Sequence, residues 1–267
     1  MAPGLNIILF GETGCGKSSI VNMIAEQELA PMSNGAAGCT FRSVPYQVDI
    51  MGMSYTIYDT AGLDEGESGN VPKEEAIIQL YKLLCSLKDG VSLLIFCMRG
   101  PRIKDAVYKN WRLFHEIICQ KQVPIAIAIT GLEDEDSMDE WWYKNKGVFQ
   151  GYGMNPCGIA CITATRGKKK SGVYRLSEEY EESKKKVWKL IRAHHLEKSW
   201  NMEKIEWFSD IVITSYTSDW CRRIKEHREV HREEGAVINE LVRRCGMSPA
   251  EASTFGKNFA TAQALML

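Results

Sequence analysis

The sequence predicts an α/β protein in which a mainly parallel sheet carries helices on both faces, followed by a C-terminal helical extension. Three observations predict this architecture. Short apolar runs typical of buried strands alternate with segments whose apolar residues recur at helical spacing. A glycine-rich turn joins the first run to the first helix. After His195 the alternation fades and helical patterns prevail. We therefore divide the chain into a first domain, residues 1–197, and a helical extension, residues 198–267.

The predicted strands are short, apolar and mostly rich in β-branched residues, as expected where helices cover both faces of a sheet. They span Leu5 to Phe10, Met53 to Asp59, Val91 to Met98, Val123 to Ile129 and Gly158 to Thr163. A further short run lies at Ile211 to Tyr216, within the extension. The basic segment from Gly167 to Gly172 is expected to be a solvated loop.

Helices are predicted wherever apolar residues recur every three or four positions. They span Ser18 to Ala25, a segment after Pro72, Ile103 to Ile118, the surroundings of Trp141 to Tyr143, and a segment capped by Ser177; in the extension they span Trp220 to Val230, Ala236 to Cys245 and Pro249 to Leu265. The adjacent Trp141 and Trp142 are expected to pack into the core rather than form a membrane or partner surface.

Composition and charge narrow the possible partners and compartment. The 33 basic residues nearly balance the 34 acidic ones, leaving a net charge of -1. This balance gives no overall attraction to nucleic acid, so no nucleic-acid partner is predicted. No apolar run approaches the roughly 20 residues that span a bilayer, and neither terminus resembles a signal peptide or lipid-anchor motif. We predict a cytoplasmic protein without a transmembrane segment, whose nine cysteines stay reduced.

The glycine-rich turn has the pattern of a phosphate-binding loop. Its residues match G-x-x-x-x-G-K-[ST] at every fixed position, and the loop is preceded by a strand and followed by a helix, as the motif requires. Backbone N–H groups and the start of the helix would bind phosphate oxygens, with Lys17 on the β- and γ-phosphates. The residues expected to contact the phosphates are Gly11, Glu12, Thr13, Gly14, Cys15, Gly16, Lys17, Ser18 and Ser19.

Three oxygen-bearing side chains are candidates for a Mg²⁺ site. The Ser18 hydroxyl is the ligand that the loop motif supplies. Asp59 ends a predicted strand in the sequence Asp59-Thr60-Ala61-Gly62, where its carboxylate can hold Mg²⁺ and the Gly62 N–H can meet a γ-phosphate. Thr40, in the intervening loop, can complete the metal shell only when a γ-phosphate is present, which would make that loop a switch.

These motifs resemble those of the translation-factor-related GTPases. The closest similarity is to the septin-like group, which includes immune-associated (GIMAP-type) GTPases and chloroplast-import receptor GTPases, and to a set of short fungal proteins of this kind. The resemblance covers about residues 4 to 195. It implies a P-loop NTPase G domain that binds GTP or GDP with Mg²⁺.

Base recognition is where the sequence departs from that group. Its members usually carry [NT]-K-x-D after the strand that here ends near Ile129, and this chain has Thr130, Gly131, Leu132 and Glu133. Glu133 can offer the bidentate acceptor that guanine needs, although Asp134 and Asp136 are alternatives. Gly131 replaces the lysine whose stem stacks on the base, so another side chain must cover the purine or binding is looser. Thr163, Ala164 and Thr165 stand where the group meets guanine O6.

Hydrolysis is expected to be slow. Leu63 stands where Ras-like enzymes have the glutamine that orients water, and Thr13 where they have a glycine that leaves room for an arginine finger. In GIMAP-type relatives an arginine after the third strand acts across a dimer interface, which implies Arg99 or Arg102 here. The resemblance thus implies a slow GTPase switch activated in a GTP-dependent homodimer, with Lys17, Thr40 and an arginine in catalytic roles.

Two other functions are compatible with these motifs. The first is a nucleotide-dependent scaffold that binds GTP or GDP with little turnover, which Leu63 would favour. The second is an ATPase, or a small-molecule kinase, built on the same loop. The Asp59 to Gly62 sequence and the lone Thr40 favour a GTPase over a kinase.

Overall fold

Six strands form the central sheet of the computed structural model, which describes residues 5–30, 43–60, 62–63, 74–101, 105–119, 121–201, 241–242 and 247–264. The strand order is β2-β3-β1-β4-β5-β6, and only β2 runs antiparallel to its neighbour. A separate exposed hairpin, β7 and β8, follows β6. The strands are β1 Leu5–Gly11, β2 Val44–Ile50, β3 Met53–Asp59, β4 Leu93–Arg99, β5 Ile125–Thr130, β6 Ile159–Cys161, β7 Lys169–Lys170 and β8 Val173–Tyr174.

Helices pack on both faces of this sheet, which confirms the predicted fold class. Within the described ranges they are α1 Lys17–Ala25, α2 Glu74–Ser86, α3 Asp105–Trp111, α4 Met138–Gly151, α5 Ser177–His194 and α6 Pro249–Ala264. Residues of β1 alternate between two cores. Ile7 and Leu9 join a cluster with α1 and α5, whereas Ile8 and Phe10 join the cluster that contains residues of the other helices.

Several local predictions were wrong. The segment predicted as one helix to Ile118 changes at Trp111 into a π-helix, Arg112–Ile118. The basic segment from Gly167 to Gly172 contains β7 and the turn that leads to β8, although its residues 168–172 are exposed as expected. Ser177 does not cap α5: it lies in the first turn of the helix, and its hydroxyl donates to the Tyr174 carbonyl at 2.9 Å.

The core prediction for the paired tryptophans is confirmed. Trp141 is 4% exposed and Trp142 packs against the same cluster from its edge. The C-terminal helix α6 also reaches this cluster through Ala252 and Phe255. Among the described residues, no helix is both long and apolar enough to cross a membrane.

The start of β4 contacts the chain on both sides of the predicted domain boundary at residue 197. The backbone N–H and carbonyl of Val91 pair with those of Trp200 at 2.7 and 2.9 Å, and the Leu196 N–H donates to the Ser92 carbonyl. The chain therefore stays hydrogen-bonded to the segment that leads into β4 as far as Trp200. The division into two domains stays a prediction, and most of the predicted elements of the extension lie outside the described residues.

Candidate functional site

The predicted phosphate loop connects the end of β1 to the start of α1, at the edge where the parallel strands end. Its glycines are required by geometry. Gly11 and Gly16 have φ angles of 149° and 92°, which favour glycine. A Cβ on Gly11 would lie 2.0 Å from the Cys97 carbonyl oxygen, so the loop passes directly against β4. The loop tip, Thr13 and Gly14, is exposed.

Lys17 lies inside this loop rather than on its surface. The residue is 7% exposed, and its Nζ donates to the Gly11 carbonyl at 3.1 Å and the Glu12 carbonyl at 2.8 Å. Helix α1 begins at Lys17 with no acidic residue in its first turn and no side chain capping its first N–H groups. A buried ammonium and an uncapped helix start in one loop are suited to an anion such as phosphate.

Ser18 and Asp59 come together beside the loop, as the predicted Mg²⁺ site requires. The Ser18 hydroxyl donates to Asp59 Oδ2 at 2.5 Å. The other carboxylate oxygen, Oδ1, is buried and has no hydrogen-bond partner among the described residues. Burial raises the pKa of Asp59, although Ser18 and Lys17 act in the opposite direction. An unpartnered carboxylate oxygen next to a hydroxyl fits a hard cation such as Mg²⁺. The third predicted ligand, Thr40, lies outside the described residues.

The segment after Asp59 packs onto the phosphate loop. The Leu63 N–H donates to the Gly11 carbonyl at 2.9 Å, and the Leu63 side chain is 2% exposed within the core. A Cβ on Gly62 would lie 2.0 Å from Thr13 Oγ1 and 2.6 Å from the Thr13 backbone nitrogen. Gly62 therefore contacts the loop tip directly, and only glycine fits there.

Thr130 joins the end of β5 to the phosphate loop. It is 3% exposed, and its hydroxyl donates to the Cys15 carbonyl at 2.8 Å. Gly16 lies in the same contact, because a Cβ there would be 3.3 Å from Thr130 Cγ2 and 3.7 Å from Ala164 Cβ. Three chain segments distant in sequence thus meet at the loop. The position of Thr130 identifies it as a residue that holds the loop in place.

The candidate base-reading acids differ sharply in their surroundings. Glu133 is partly buried, and its Oε2 atom is buried without a hydrogen-bond partner among the described residues. Asp134 is 91% exposed and pairs with Arg175 at 3.8 Å. Asp136 is exposed. Among these three carboxylates, Glu133 alone has a buried acceptor that lacks a partner.

The segment Thr163 to Thr165 forms a tight turn next to Gly16. The buried Thr163 N–H donates to Ser183 Oγ at 3.0 Å. The Thr165 N–H donates to Thr163 Oγ1 at 3.4 Å. These contacts fix the chain on both sides of Ala164, which lies beside Gly16 of the phosphate loop; the predicted contact of this turn with guanine O6 stays a prediction.

Of the two arginines predicted to act across a dimer, the structure describes only Arg99. Arg102 lies outside the described residues. Arg99 is the last residue of β4, and its side chain lies against Gly131: a Cβ on Gly131 would be 3.2 Å from Arg99 Cγ. Sequence reasoning considered Arg99 only as a residue acting across a dimer. The sequence had shown that position 131 lacks a side chain, but it did not show that Arg99 lies next to it.

The part of the chain that contains this site is similar in sequence to known GTPases. Residues 6–130, slightly less than half of the chain, match the model of a family described as 50S ribosome-binding GTPase. The tRNA modification GTPase MnmE of Desulfotalea psychrophila is 35% identical over 102 residues, which are 38% of this chain and 20% of that protein. The GTPase Der of Campylobacter curvus is 28% identical over 143 residues, or 53% and 29% of the two chains. The chain thus spans less than a third of these relatives.

Solved structures share the same fold. Toc33 from Arabidopsis thaliana, in complex with GDP and Mg²⁺, superposes with a TM-score of 0.52 at 18% identity, covering 75% of this chain and 88% of Toc33. A second chloroplast translocon structure, from work on atToc33 and psToc159, gives a TM-score of 0.50 at 17% identity, with coverage of 72% and 81%. The chain therefore has the fold of a P-loop GTPase G domain, as predicted, and its residues 6–130 are similar in sequence to a GTPase family. Its placement in the septin-like or GIMAP-type group stays a prediction.

Proposed function

We propose that this protein binds GTP and GDP together with Mg²⁺ and acts as a slow GTPase whose conformation depends on the nucleotide. One observation carries the proposal: Asp59 and Glu133 each have a buried carboxylate oxygen without a partner among the described residues, and they belong to the two segments that flank the phosphate loop. Buried acceptors without partners are costly, so such atoms generally mark a place where a ligand supplies the missing partner. A Mg²⁺ ion would partner Asp59, and the N1–H and exocyclic amine of guanine would partner Glu133.

Glu133 is the residue that we expect to select guanine. The edge of adenine presents an acceptor where guanine presents the N1–H, so adenine would leave the carboxylate oxygen unpartnered. A site built to hydrogen-bond a substrate group rejects an analogue that lacks it by a large factor. This argument favours a GTPase over an ATPase on the same loop.

A direct titration tests this preference. Binding of GTP and ATP with Mg²⁺ would be measured by calorimetry on the full chain and on Glu133→Gln, with the exposed Asp134→Asn as the matched control. We expect tighter binding of GTP than ATP, a loss of that preference in Glu133→Gln, and unchanged binding in Asp134→Asn. Tighter binding of ATP by the unaltered protein would overturn the guanine assignment. A loss confined to Asp134→Asn would assign the base to the neighbouring acid.

Slow hydrolysis follows from the surroundings of the γ-phosphate position. Leu63 is buried in the core and cannot orient an attacking water, and the exposed Thr13 at the loop tip stands where an incoming arginine would need room. A group from a second chain is the substitute that we propose, with Arg102 as the main candidate. The translocon structure described as showing that dimerization is important for the GTPase activity of atToc33 and psToc159 offers a precedent in another protein.

A scaffold that binds nucleotide with little turnover is the second candidate function. The burial of Leu63 favours it, because an apolar side chain in the core cannot position an attacking water. The two functions differ in one measurement. Phosphate release from GTP that rises with protein concentration supports the dimer-activated GTPase, whereas nucleotide binding without phosphate release at any concentration supports the scaffold.

The remaining expectations on partners and location are also proposals. Nucleic acid was predicted to be absent on the basis of the balanced charge. One relative is a tRNA modification GTPase by name, so this expectation needs a direct binding measurement with RNA. We retain the cytoplasm as the proposed location.

A further inference from the structure

Gly131 leaves a space in the base-binding region that another side chain fills. Its φ angle of +76° is unfavourable for any residue with a Cβ. A Cβ built there would lie 3.2 Å from Arg99 Cγ and 3.4 Å from Arg99 Nε. The side chain of Arg99 therefore lies directly against the position at which a side chain from residue 131 would begin. A lysine at 131 and an arginine at 99 would compete for the same volume.

The sheet holds Arg99 in this place. Arg99 pairs with Thr130 in the parallel register of β4 and β5, and the Thr130 hydroxyl is bonded to the phosphate loop. The six preceding residues of β4 are buried, whereas Arg99 is exposed, so its side chain leaves the core at this edge. Backbone pairing thus fixes Arg99 next to the end of β5, and the Thr130 hydroxyl fixes the phosphate loop to the same end.

We propose that the guanidinium of Arg99 covers one face of the guanine base, in the place of a side chain from residue 131. The proposal rests on the proposed function, since it assumes that a guanine nucleotide binds this loop. A guanidinium group is planar and stacks on aromatic and base faces. Glu133, two residues after Gly131, would read the edge of the same base. Arg99 therefore contributes affinity, and Glu133 contributes selectivity.

This role differs from an action of Arg99 across a dimer in a way that can be measured. A base-covering arginine acts within one chain, so it affects affinity for GDP, which has no γ-phosphate, at concentrations where the protein is monomeric. An arginine that neutralises transition-state charge in a second chain affects turnover at high concentration and leaves GDP affinity unchanged. The proposal leaves Arg102 as the candidate for the second role.

The test is a calorimetric or fluorescence titration of GDP and IDP, with Mg²⁺, on dilute full-length protein. The variants are Arg99→Ala, Arg99→Lys and the control Lys185→Ala, which removes an exposed charge from α5. Stacking of a base is worth about 1–3 kcal/mol, which is about five- to 150-fold in Kd. We expect Arg99→Ala to raise the Kd of both nucleotides about tenfold and by the same factor, because stacking does not sense the 2-amino group.

The variants separate stacking from charge and from folding. Arg99→Lys keeps the charge but not the plane, so we expect it to recover only part of the lost affinity, and Lys185→Ala to bind as the unaltered protein does. Full recovery in Arg99→Lys, or an unchanged Kd in Arg99→Ala whose melting temperature is preserved, overturns the proposal. If the unaltered protein fails to bind GDP at all, the proposed function itself fails, which is a different result.

Discussion

Replacing Asp59 by asparagine should stabilise the nucleotide-free protein while weakening its use of Mg²⁺. One oxygen of this carboxylate accepts from Ser18 at 2.5 Å, and the other is buried without a partner among the described residues. A buried acceptor without a partner costs about 1–3 kcal/mol, and more when it is charged. Asparagine keeps the shape and the acceptor for Ser18, and it places a neutral amide nitrogen where the unpartnered charged oxygen was, so it removes the part of this cost that is due to the charge. Function and stability therefore oppose each other at this residue.

The expected size of the effect follows from that cost. For a chain of this size, 1 kcal/mol shifts the melting temperature by about 2–4 °C. We therefore expect Asp59→Asn to melt several degrees higher than the unaltered protein when neither nucleotide nor Mg²⁺ is present. Asp49→Asn is the control, because Asp49 is an exposed residue near the end of β2 whose Oδ1 accepts from the Gly52 N–H, and asparagine can make the same contact.

The pH dependence gives an independent check. Burial raises the pKa of Asp59 above its unfolded value, so the folded state takes up a proton before the unfolded state does as pH falls. Protonation of Asp59 therefore stabilises the folded protein as the pH falls through the pKa that Asp59 has in the folded state. At neutral pH Asp59 is not protonated and this stabilisation is absent. The difference in melting temperature between Asp59→Asn and the unaltered protein should shrink as pH falls. A lower melting temperature for Asp59→Asn at pH 7, or a difference independent of pH, would refute the reasoning.

Two further substitutions test the contacts around the loop. Thr130→Val removes the hydroxyl that donates to the Cys15 carbonyl, so we expect a loss of about 1–3 kcal/mol in stability and weaker GDP binding in a melt and a titration. Thr56→Val, which removes a partly exposed contact with Gln47, should leave GDP binding intact, and equal effects from both variants would contradict the assigned role. Arg102→Ala should lower phosphate release at high protein concentration without changing GDP affinity. Unchanged turnover would remove Arg102 from the proposed mechanism.

The fold was largely predictable from the sequence because its parallel strands are buried on both faces. Five apolar runs identified β1, β3, β4, β5 and β6, each within about two residues of its observed ends. The strand β2 was missed because it lies at the sheet edge, and most of its residues are exposed or partly exposed. Its sequence therefore carries no continuous apolar run. The π-helix was missed because its apolar periodicity is that of an ordinary helix, and the change appears only in the backbone hydrogen bonds.

The two ends of the candidate site differed in how far the sequence could predict them. The phosphate loop is contiguous, and its spacing alone placed Lys17 and Ser18. The base-binding region is assembled from three separate segments, so the sequence left Glu133, Asp134 and Asp136 as alternatives. Their burial separates them, and burial depends on how β5 and the following turn pack against the rest of the domain. The contact between Arg99 and Gly131 also could not be predicted from the sequence, because it depends on the register of β4 and β5.

Asp59 and Glu133 together suggest how ligand binding and stability are linked in this protein. Each has a buried oxygen without a partner among the described residues, and each such atom destabilises the nucleotide-free fold. A ligand that supplies both partners removes both costs at once, so its binding should raise the melting temperature more than binding at either end alone. GDP without Mg²⁺ would satisfy only Glu133, and Mg²⁺ with pyrophosphate would satisfy only Asp59. The largest shift is therefore expected with GDP and Mg²⁺ together, and that shift should fall in Asp59→Asn and in Glu133→Gln for separate reasons.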